Sequence, residues 1–288
     1  MADILELQQV SKTFPKSNFK LDKVTFSVPY GAILGFVGEN GAGKTTTIGC
    51  ILNTITKESG TIKLFGKEMK DADTGLREKI GVVYDGDNFP AYWNAKQLSE
   101  IMKGVYTQWD QELFEKYLKD FNLPAKQRIK HFSRGMSMKL AIAAALSHHP
   151  QLLILDEATS GLDPVMRDDI LDVFLAFMQE ENHSVLLSSH ITSDLEKVAD
   201  YITFLHDGRL IMTVSKNELA YDYAVMRCRE SQFQKLDPQD ILVYRKRDLW
   251  IDVLVSDGKG ARRKYKDIVV DHVSVDEIML LLVKGEQI

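Results

Sequence analysis

The sequence predicts an α/β fold: a mostly parallel core sheet, an antiparallel β layer beside it, and a small α+β domain after it. Three patterns support this prediction. Continuous apolar runs alternate with helical patterns, which is typical of a parallel sheet covered by helices on both faces. Two partly alternating segments precede those runs. After Asp207-Gly208-Arg209 the apolar residues change to a period of two.

The first elements form the β layer and the start of the core sheet. Residues 4–10 and 21–28 alternate in part and are followed by Pro or Gly, so they predict short antiparallel strands. Residues 32–37 are continuously apolar, as in a strand buried on both faces, and they lead into a glycine-rich turn and a Thr-rich helix. Residues 60–65 and 80–84 predict further strands.

The middle of the chain predicts a helical insert and then the rest of the core sheet. Helical spacing of apolar residues covers 94–123, and a further Ala-rich helix covers 138–147, so the insert extends from about residue 94 to 147. Strands and helices alternate after it. These are predicted, in order, at 151–155 (strand), 166–179 (helix), 184–188 (strand), 193–199 (helix) and 202–205 (strand).

The last part of the chain has a different pattern. Residues 241–244 and 249–255 alternate with a period of two, and 275–283 form an apolar helical run. We therefore expect a domain boundary at residues 216 and 217, with 217–288 forming a small α+β domain.

Composition limits the possible partners. The chain has 288 residues, with 36 Lys and Arg against 41 Asp and Glu, which gives no general electrostatic footprint for nucleic acid. We therefore expect no nucleic-acid partner. Cys50 and Cys228 lie in no metal-binding pattern and predict buried free thiols. The N-terminus has no secretory pattern, and the apolar runs fall short of the roughly 20 residues that span a bilayer. We expect that the chain does not cross a membrane by itself.

One segment predicts a phosphate-binding loop. The residues from Gly38 to Thr45 fit G-x-x-x-x-G-K-S/T between a buried strand and a helix. Glycines let backbone N–H groups turn towards phosphates, Lys44 can reach the β and γ oxygens, and the Thr45 hydroxyl can bind Mg²⁺. The candidate nucleotide-binding residues here are Gly38, Asn40, Gly41, Ala42, Gly43, Lys44, Thr45 and Thr46.

A second segment delivers carboxylates to the end of a strand. Residues 152–155 are apolar and are followed by Asp156 and Glu157. Asp156 can hold the Mg²⁺ shell, and Glu157 can polarise an attacking water. Such an acidic pair is by itself often a solvated turn, but the phosphate loop upstream makes a hydrolytic site the stronger interpretation.

Residues 3–215, which contain both motifs, resemble the ATP-binding cassette family, the ATPase subunits of ABC transporters. Residues 132–136, Phe-Ser-Arg-Gly-Met, stand where the family has its LSGGQ signature, and Ser133 and Gly135 match it. Asp163 resembles the end of the family's D-loop, His190 its switch histidine, and Phe14 the aromatic residue that stacks on adenine. Taken singly, Ser133 could be no more than a helix cap, and His190 and Phe14 could be structural residues. The order and spacing of all the motifs favour a nucleotide-binding role for these residues.

The resemblance implies a fold and a chemistry. Residues 1–216 would be a P-loop ABC ATPase domain that uses ATP and Mg²⁺, with Glu157, His190 and Lys44 as catalytic residues. Thr45 and Asp156 would bind the metal. Asp85, at the position of the Q-loop glutamine, is a third candidate metal ligand, the alternative being a polar turn from residue 85 to 88. The role of Arg134, inside the signature, is left open.

The resemblance also implies partners. Two copies, or one copy and a paralogous ATPase, would enclose ATP between the phosphate loop of one subunit and Ser133 and Gly135 of the other. A separate transmembrane permease subunit would form the substrate path and hold the chain at the cytoplasmic face of the cell membrane. The single cassette and the C-terminal extension are similar to bacterial ABC-2 type exporters of drugs or amphipathic and antimicrobial peptides. Residues 217–288, which contain no motif for chemistry, are expected to serve dimerisation or regulation; the alternative is that they only cover and stabilise the cassette. The alternatives are an importer ATPase and a soluble ABC ATPase acting on nucleic acid or ribosomes.

Overall fold

The computed structural model describes residues 3–15, 17–69 and 73–286. The strands in these residues are β1 (Asp3–Thr13), β2 (Lys20–Pro29), β3 (Ile33–Val37), β4 (Ser59–Leu64), β5 (Lys67–Glu68), β6 (Ile80–Val83), β7 (Leu152–Asp156), β8 (Ser184–Ser189), β9 (Tyr201–His206), β10 (Arg209–Ser215), β11 (Ala224–Cys228), β12 (Val243–Lys246), β13 (Ile251–Val255) and β14 (Val269–His272). The helices are α1 (Lys44–Ile51), α2 (Thr74–Arg77), α3 (Ala95–Val105), α4 (Gln111–Asp120), α5 (Arg134–Leu146), α6 (Pro164–Phe177), α7 (Thr192–Val198), α8 (Lys216–Tyr221), α9 (Glu230–Phe233), α10 (Gly258–Lys264) and α11 (Val275–Lys284). Short 3₁₀ turns occur at Ile129–His131 and Pro238–Asp240.

The central sheet has the strand order β10-β9-β3-β8-β7-β6. All neighbouring pairs are parallel except β9 and β10, which form an antiparallel hairpin. Every residue of β3, β7 and β8 is buried, as expected for strands covered by helices on both faces. The predicted α/β fold with a mostly parallel core sheet is confirmed.

The antiparallel layer consists of β2, β1, β4 and β5, in that order. β1 pairs with β2 and with β4, and the inward positions of β2, Leu21, Val24, Phe26 and Val28, are buried. They share one apolar cluster with α1 and with one face of the central sheet. The predicted antiparallel layer is therefore confirmed, and together with α1 it packs against one face of the central sheet.

The helical segment between β6 and β7 has its own small core. Leu98 of α3, Phe114 of α4 and Leu140 of α5 are fully buried in one cluster. α5 begins at Arg134, earlier than the predicted residue 138, because the Ser133 side chain accepts a hydrogen bond from Met136 N–H at 3.2 Å and caps the helix there. The signature residues therefore form the first turn of a helix.

The third sheet is antiparallel, with the order β12-β13-β11-β14. The sequence located β12 and β13 to within two residues, but it indicated neither β11 nor β14. β11 lacks the alternation of a half-buried strand because four of its five residues are buried. This sheet and α11 share an apolar cluster with the central sheet, in which Leu254 and Ile278 accompany Leu195 and Ile202. Val275 N–H also donates to Glu196 Oε1 at 2.7 Å.

Two further expectations concern cysteines and membrane spans. Cys50 and Cys228 are buried free thiols, as predicted, and burial raises the pKa of Cys228 to about 11. Within the described ranges, none of the helices has both the length and the apolar character that crossing a bilayer requires.

One buried histidine makes the stability depend on pH. His148 is 2% exposed, its Nε2 lies 3.1 Å from the Ile80 carbonyl oxygen, and its ring stacks on Tyr106 at 3.9 Å. Burial lowers the pKa of the imidazole, although its hydrogen bonds to the Ile80 and Ala144 carbonyls oppose this effect. The folded chain therefore holds His148 neutral at a pH where the unfolded chain protonates it.

We predict that His148→Gln removes one component of acid destabilisation. Because the folded pKa is below the unfolded value of about 6.5, the unfolded state binds more protons, and the parent loses stability as the pH falls below that value. The slope from one such group is at most ~1.4 kcal/mol per pH unit. Urea unfolding between pH 7.5 and 5 should show the parent losing stability faster than the variant; parallel curves would contradict this.

Candidate nucleotide-hydrolysis site

The carboxyl ends of three neighbouring parallel strands converge at one edge of the central sheet. In register, Val37 of β3 lies opposite Ser189 of β8, and Ser188 lies opposite Asp156 of β7. Because all three strands are buried, only their last residues and the residues that follow them can face a ligand. The phosphate loop, the acidic pair and His190 follow these strands, and they are brought together here.

The phosphate loop is wrapped closely around the Lys44 side chain. Lys44 Nζ donates to the Gly38 carbonyl oxygen at 2.7 Å and to that of Glu39 at 3.4 Å, and the side chain is 6% exposed. Gly43 has a φ of 111°, and a Cβ on Gly38 would lie 2.4 Å from the Leu205 carbonyl oxygen. Glycine is therefore required at both positions, at one for the backbone conformation and at the other for space.

Asp156 is held by a hydroxyl on each oxygen. Thr45 Oγ1 donates to Oδ2 at 2.8 Å, and Ser188 Oγ donates to Oδ1 at 2.9 Å. The carboxylate is 3% exposed. A hydroxyl and a carboxylate side by side are hard oxygen ligands, and Mg²⁺ needs few of them because it keeps several waters. Thr45 and Asp156 thus fit a magnesium ion.

Ser188 is a site residue that the motifs did not identify. Its signal in the sequence is weak: a serine that follows the apolar residues 185–187, in the segment 184–188 that the pattern already assigned to a strand. A buried hydroxyl needs a hydrogen-bond partner, and only the pairing of β7 with β8 reveals that the partner is Asp156.

Glu157 lies between a lysine and a histidine. Its Oε1 is 3.1 Å from Lys44 Nζ, and its Oε2 is 2.6 Å from His190 Nδ1 and accepts from His190 N–H at 3.3 Å. Its φ of 55° is in the left-handed region, which is rare for a residue with a side chain. Such backbone strain persists where the surrounding structure holds it and is concentrated at functional sites. The strain turns Glu157 out of the strand that carries Asp156.

A cleft of about 490 Å³ lies in front of these groups. It is lined by Ser17, Phe19, Glu39, Asn40, Gly41, Gly43, Lys44, Thr45, Thr46, Asp85, Asp156 and Glu157. Phe19 contributes the aromatic wall, whereas Phe14 lies behind it, with ring centroids 6.3 Å apart, and does not line the cleft. The sequence motif pointed to Phe14, and Phe19 was missed because the loop between β1 and β2 determines which ring faces the cleft.

Six of the predicted nucleotide-binding residues are absent from the described lining of the cleft. Phe14 adjoins Phe19, whereas Gly38 and Ala42 belong to the phosphate loop. The other three, Ser133, Gly135 and Asp163, lie at the starts of α5 and α6. Ser133 caps α5, and Asp163 Oδ1 caps α6 by accepting from Val165 and Met166 N–H at 3.1 and 3.0 Å. A Cβ on Gly135 would lie 1.9 Å from Met166 Sδ, so the starts of α5 and α6 are in close contact.

Asp85 lies at the rim of the cleft and is bound by the signature arginine. Arg134 Nη2 donates to Asp85 Oδ1 at 2.6 Å. The residues around Asp85 also form a turn in which Asn88 Oδ1 accepts from Tyr84 N–H at 2.9 Å. The sequence left two alternatives for Asp85, a position in the cleft and a polar turn, and the structure shows both. A role of Asp85 in metal binding stays a prediction.

A partly buried ion pair between α6 and α7 was not predicted. Arg167 Nη2 donates to the Leu162 carbonyl oxygen at 3.3 Å, and its Nε is 3.8 Å from Asp194 Oδ2. Asp194 is 3% exposed, and burial raises the pKa of its carboxyl, with Arg167 acting in the opposite direction. The pair connects the turn after Glu157 with α7, which follows His190. A phosphate loop, a buried carboxylate that fits Mg²⁺ and a glutamate paired with the loop lysine are together the features of an ATPase of the phosphate-loop class.

Comparisons with known proteins specify the class further. The profile of the ABC transporter family matches residues 21–160. The bacitracin transport ATP-binding protein BcrA of Bacillus licheniformis is 32% identical over 246 residues, which are 84% of this chain and 78% of that protein. The lantibiotic transport ATP-binding protein SrtF of Streptococcus pyogenes is 34% identical over 213 residues, 73% of this chain and 90% of that protein. A solved structure of the ATP binding subunit of an ABC transporter matches with a TM-score of 0.68 and 26% identity, over 75% of this chain and 91% of that chain.

The chain therefore belongs to the ABC transporter family, as an ATPase subunit. This confirms the resemblance and the P-loop ABC ATPase fold that it implied. The matched profile begins within β2 and ends shortly after Glu157, so it includes the phosphate loop and the acidic pair.

We predict that Glu157→Gln lowers ATP turnover on the order of 10²-fold while ATP binding persists, because the amide keeps the shape but cannot act as a base. Steady-state phosphate release and equilibrium binding of a fluorescent ATP analogue would measure the two quantities. Glu180→Gln, which alters an exposed glutamate outside the cleft, is the matched control and should behave as the parent. Turnover of Glu157→Gln within about threefold of the parent would remove Glu157 from catalysis.

Proposed function

We propose that the cleft hydrolyses ATP with Glu157 as the base that orients and deprotonates water, Lys44 as the γ-phosphate ligand and His190 as a bridge to that phosphate. The single observation that carries this proposal is the contact of the Glu157 carboxylate with both Lys44 and His190, at 3.1 and 2.6 Å. The Glu157→Gln experiment tests it. Asn40, Gly41, Ala42 and Thr46 are proposed to complete the phosphate contacts. Phe14 and Phe19, whose rings adjoin and of which Phe19 lines the cleft, are proposed as the aromatic pair beside the adenine.

The contacts in the cleft support a sequence of charge exchanges. A phosphate entering the loop would compete with Glu157 for the Lys44 ammonium, and this competition would release the carboxylate for a water. Loop N–H groups and Lys44 would then neutralise the negative charge on the γ-phosphoryl group. Thr45 and Asp156 would hold Mg²⁺, with Asp85 contributing through a water; a bound Mg²⁺ supplies charge neutralisation on the phosphate oxygens. His190, which contacts Glu157, would keep its carboxylate oriented.

We further propose that two subunits form the complete site. Ser133, Gly135 and Asp163 lie outside the cleft of their own chain, and this is consistent with their contacting a nucleotide held by another copy or by a paralogous ATPase. Ser133 is exposed at the start of α5, where the backbone N–H groups of the helix favour an anion.

We predict that a mixture of two inactive variants regains activity. Lys44→Ala removes the phosphate ligand, and Ser133→Arg blocks the surface that faces the nucleotide of the other subunit. Neither variant can therefore form an intact site in a homodimer. A mixed pair retains one intact site, and its ATPase activity should rise to a measurable fraction of the parent in a titration of one variant against the other. Crosslinking must show that mixed pairs form; if they form and stay inactive, the sites are not shared in this way.

We propose that this ATPase drives a separate permease subunit that exports drugs or amphipathic and antimicrobial peptides. The support is the similarity to bacitracin and lantibiotic transport ATP-binding proteins. The chain would be held at the cytoplasmic face of the cell membrane by that permease, and residues 217–288 would form an accessory domain for dimerisation or regulation. Purification of this ATPase from detergent-solubilised membranes should recover a bound permease. If the reconstituted complex takes up its substrate instead of exporting it, the protein is an importer ATPase. Recovery of ribosomes or nucleic acid without a permease would refute a role in transport.

A further inference from the structure

Two residues that depart from the ABC family pattern are bound to each other. Asp85 stands where the pattern has the Q-loop glutamine, and Arg134 stands inside the signature where the pattern has glycine. Arg134 Nη2 donates to Asp85 Oδ1 at 2.6 Å, in a charge-assisted hydrogen bond. One departure introduces a negative charge, the other a positive charge, and the fold brings the two together.

Stability does not account for this ion pair. The side chains are 50% and 45% exposed, and exposed pairs contribute little to folding because water and salt screen them. Arg134 is also the first residue of α5, where a positive charge faces the positive end of the helix dipole. A cation at this position is unfavourable without an anion beside it. Asp85 supplies that anion from the rim of the nucleotide cleft.

Arg134 also covers the turn that follows Glu157. A Cβ on Gly161 would lie 2.8 Å from Arg134 Cζ and 2.9 Å from its Nη1, so the guanidinium lies directly over this glycine. Gly161 has a φ of 68°, which fixes the turn in a conformation that favours glycine. One side chain therefore contacts both the Asp85 loop and the turn between β7 and α6.

The contact between Arg134 and Asp85 changes the net charge of the nucleotide cleft. Asp85 lines the same cleft as Asp156 and Glu157, so it adds a negative charge where ATP phosphates would bind. Arg134 offsets that charge and fixes the direction of the carboxylate through Oδ1. A carboxylate has a second oxygen, which can accept a hydrogen bond from a water in the cleft.

We propose that Arg134 is a positioning residue for ATP hydrolysis, which acts by holding Asp85 at the cleft rim and the Gly161 turn in place. This inference rests on the proposed hydrolytic role of the cleft. Arg134 itself does not line the cleft of its own chain, so its effect is transmitted through Asp85 and through the turn that carries Glu157.

Steady-state kinetics of the full chain test the proposal. Arg134→Met keeps an unbranched apolar stem but removes the guanidinium and its charge. It should lower kcat on the order of tenfold while KM for Mg·ATP stays within about twofold, because misplacement affects the reaction more than binding. Arg134→Lys, which keeps the charge, should recover kcat to within about threefold of the parent. The thermal unfolding midpoint should stay that of the parent, which a structural role would not allow.

A double-mutant cycle tests whether the two residues act together. If Arg134 acts through Asp85, then Asp85→Asn combined with Arg134→Met should lose no more kcat than the more damaging single variant. The matched control is Lys264→Met, which breaks exposed ion pairs outside the cleft, with Asp237 at 3.0 Å and with Asp240 at 2.8 Å. The side chains of Lys264 and Asp237 are 48% and 44% exposed, close to the values for Arg134 and Asp85. This control should behave as the parent.

Several outcomes would overturn the proposal. The first is a kcat of Arg134→Met within about twofold of the parent, and the second is an effect on KM instead of kcat. The others are kcat losses of the two single variants that multiply in the double variant, or an equal loss of kcat in Lys264→Met. If Arg134→Met does not fold, Arg134→Gln replaces it with the same expectations. A parent without ATPase activity, or one unaffected by Glu157→Gln, would refute the proposed function; a parent that depends on Glu157 but is indifferent to Arg134 would refute only this inference.

Discussion

The parallel pairing of β3, β8 and β7 is the constraint on which the rest of the structure depends. Their complete burial requires helices on both faces of the sheet, and their shared direction brings the chain out of the core three times at one edge. Thr45, Asp156 and Ser188 come from these three exits and form one hydrogen-bonded group. If the register of β7 slipped by one residue, its side chains would change faces, so the accuracy of the site depends on apolar packing some distance from it.

The parts of this arrangement that the sequence could predict are those encoded locally. The apolar run before Gly38, the glycines of the loop, and the two acids after residues 152–155 are each contained within a short segment, so pattern and composition sufficed. The start of α5 was placed too late, at residue 138, because the apolar helical pattern begins there; capping of a helix by Ser133 was considered only as an alternative to its signature role. β11 was missed because burial removes the alternation that identifies a surface strand.

Other features depend on contacts between distant segments. Neither the bond between Ser188 and Asp156 nor the pair of Arg134 and Asp85 has a signature in either segment alone. The choice of Phe19 over Phe14 as the cleft wall likewise follows from the path of one loop. Chemistry could thus be assigned from motifs, whereas the supporting partners of each catalytic group required the tertiary structure.

The apolar cluster shared by the third sheet and the central sheet has a consequence for biosynthesis. Ile278 and Leu281 of α11 complete a cluster that contains Leu195 and Ile202, residues made much earlier by the ribosome. Until α11 has left the ribosome, the apolar face of α7 that packs against α11 is uncovered. Exposed apolar surface on a growing chain promotes aggregation. Because these contacts join distant parts of the sequence, closing the cluster costs loop entropy and comes late in folding. This apolar surface is therefore expected to stay exposed until α11 docks.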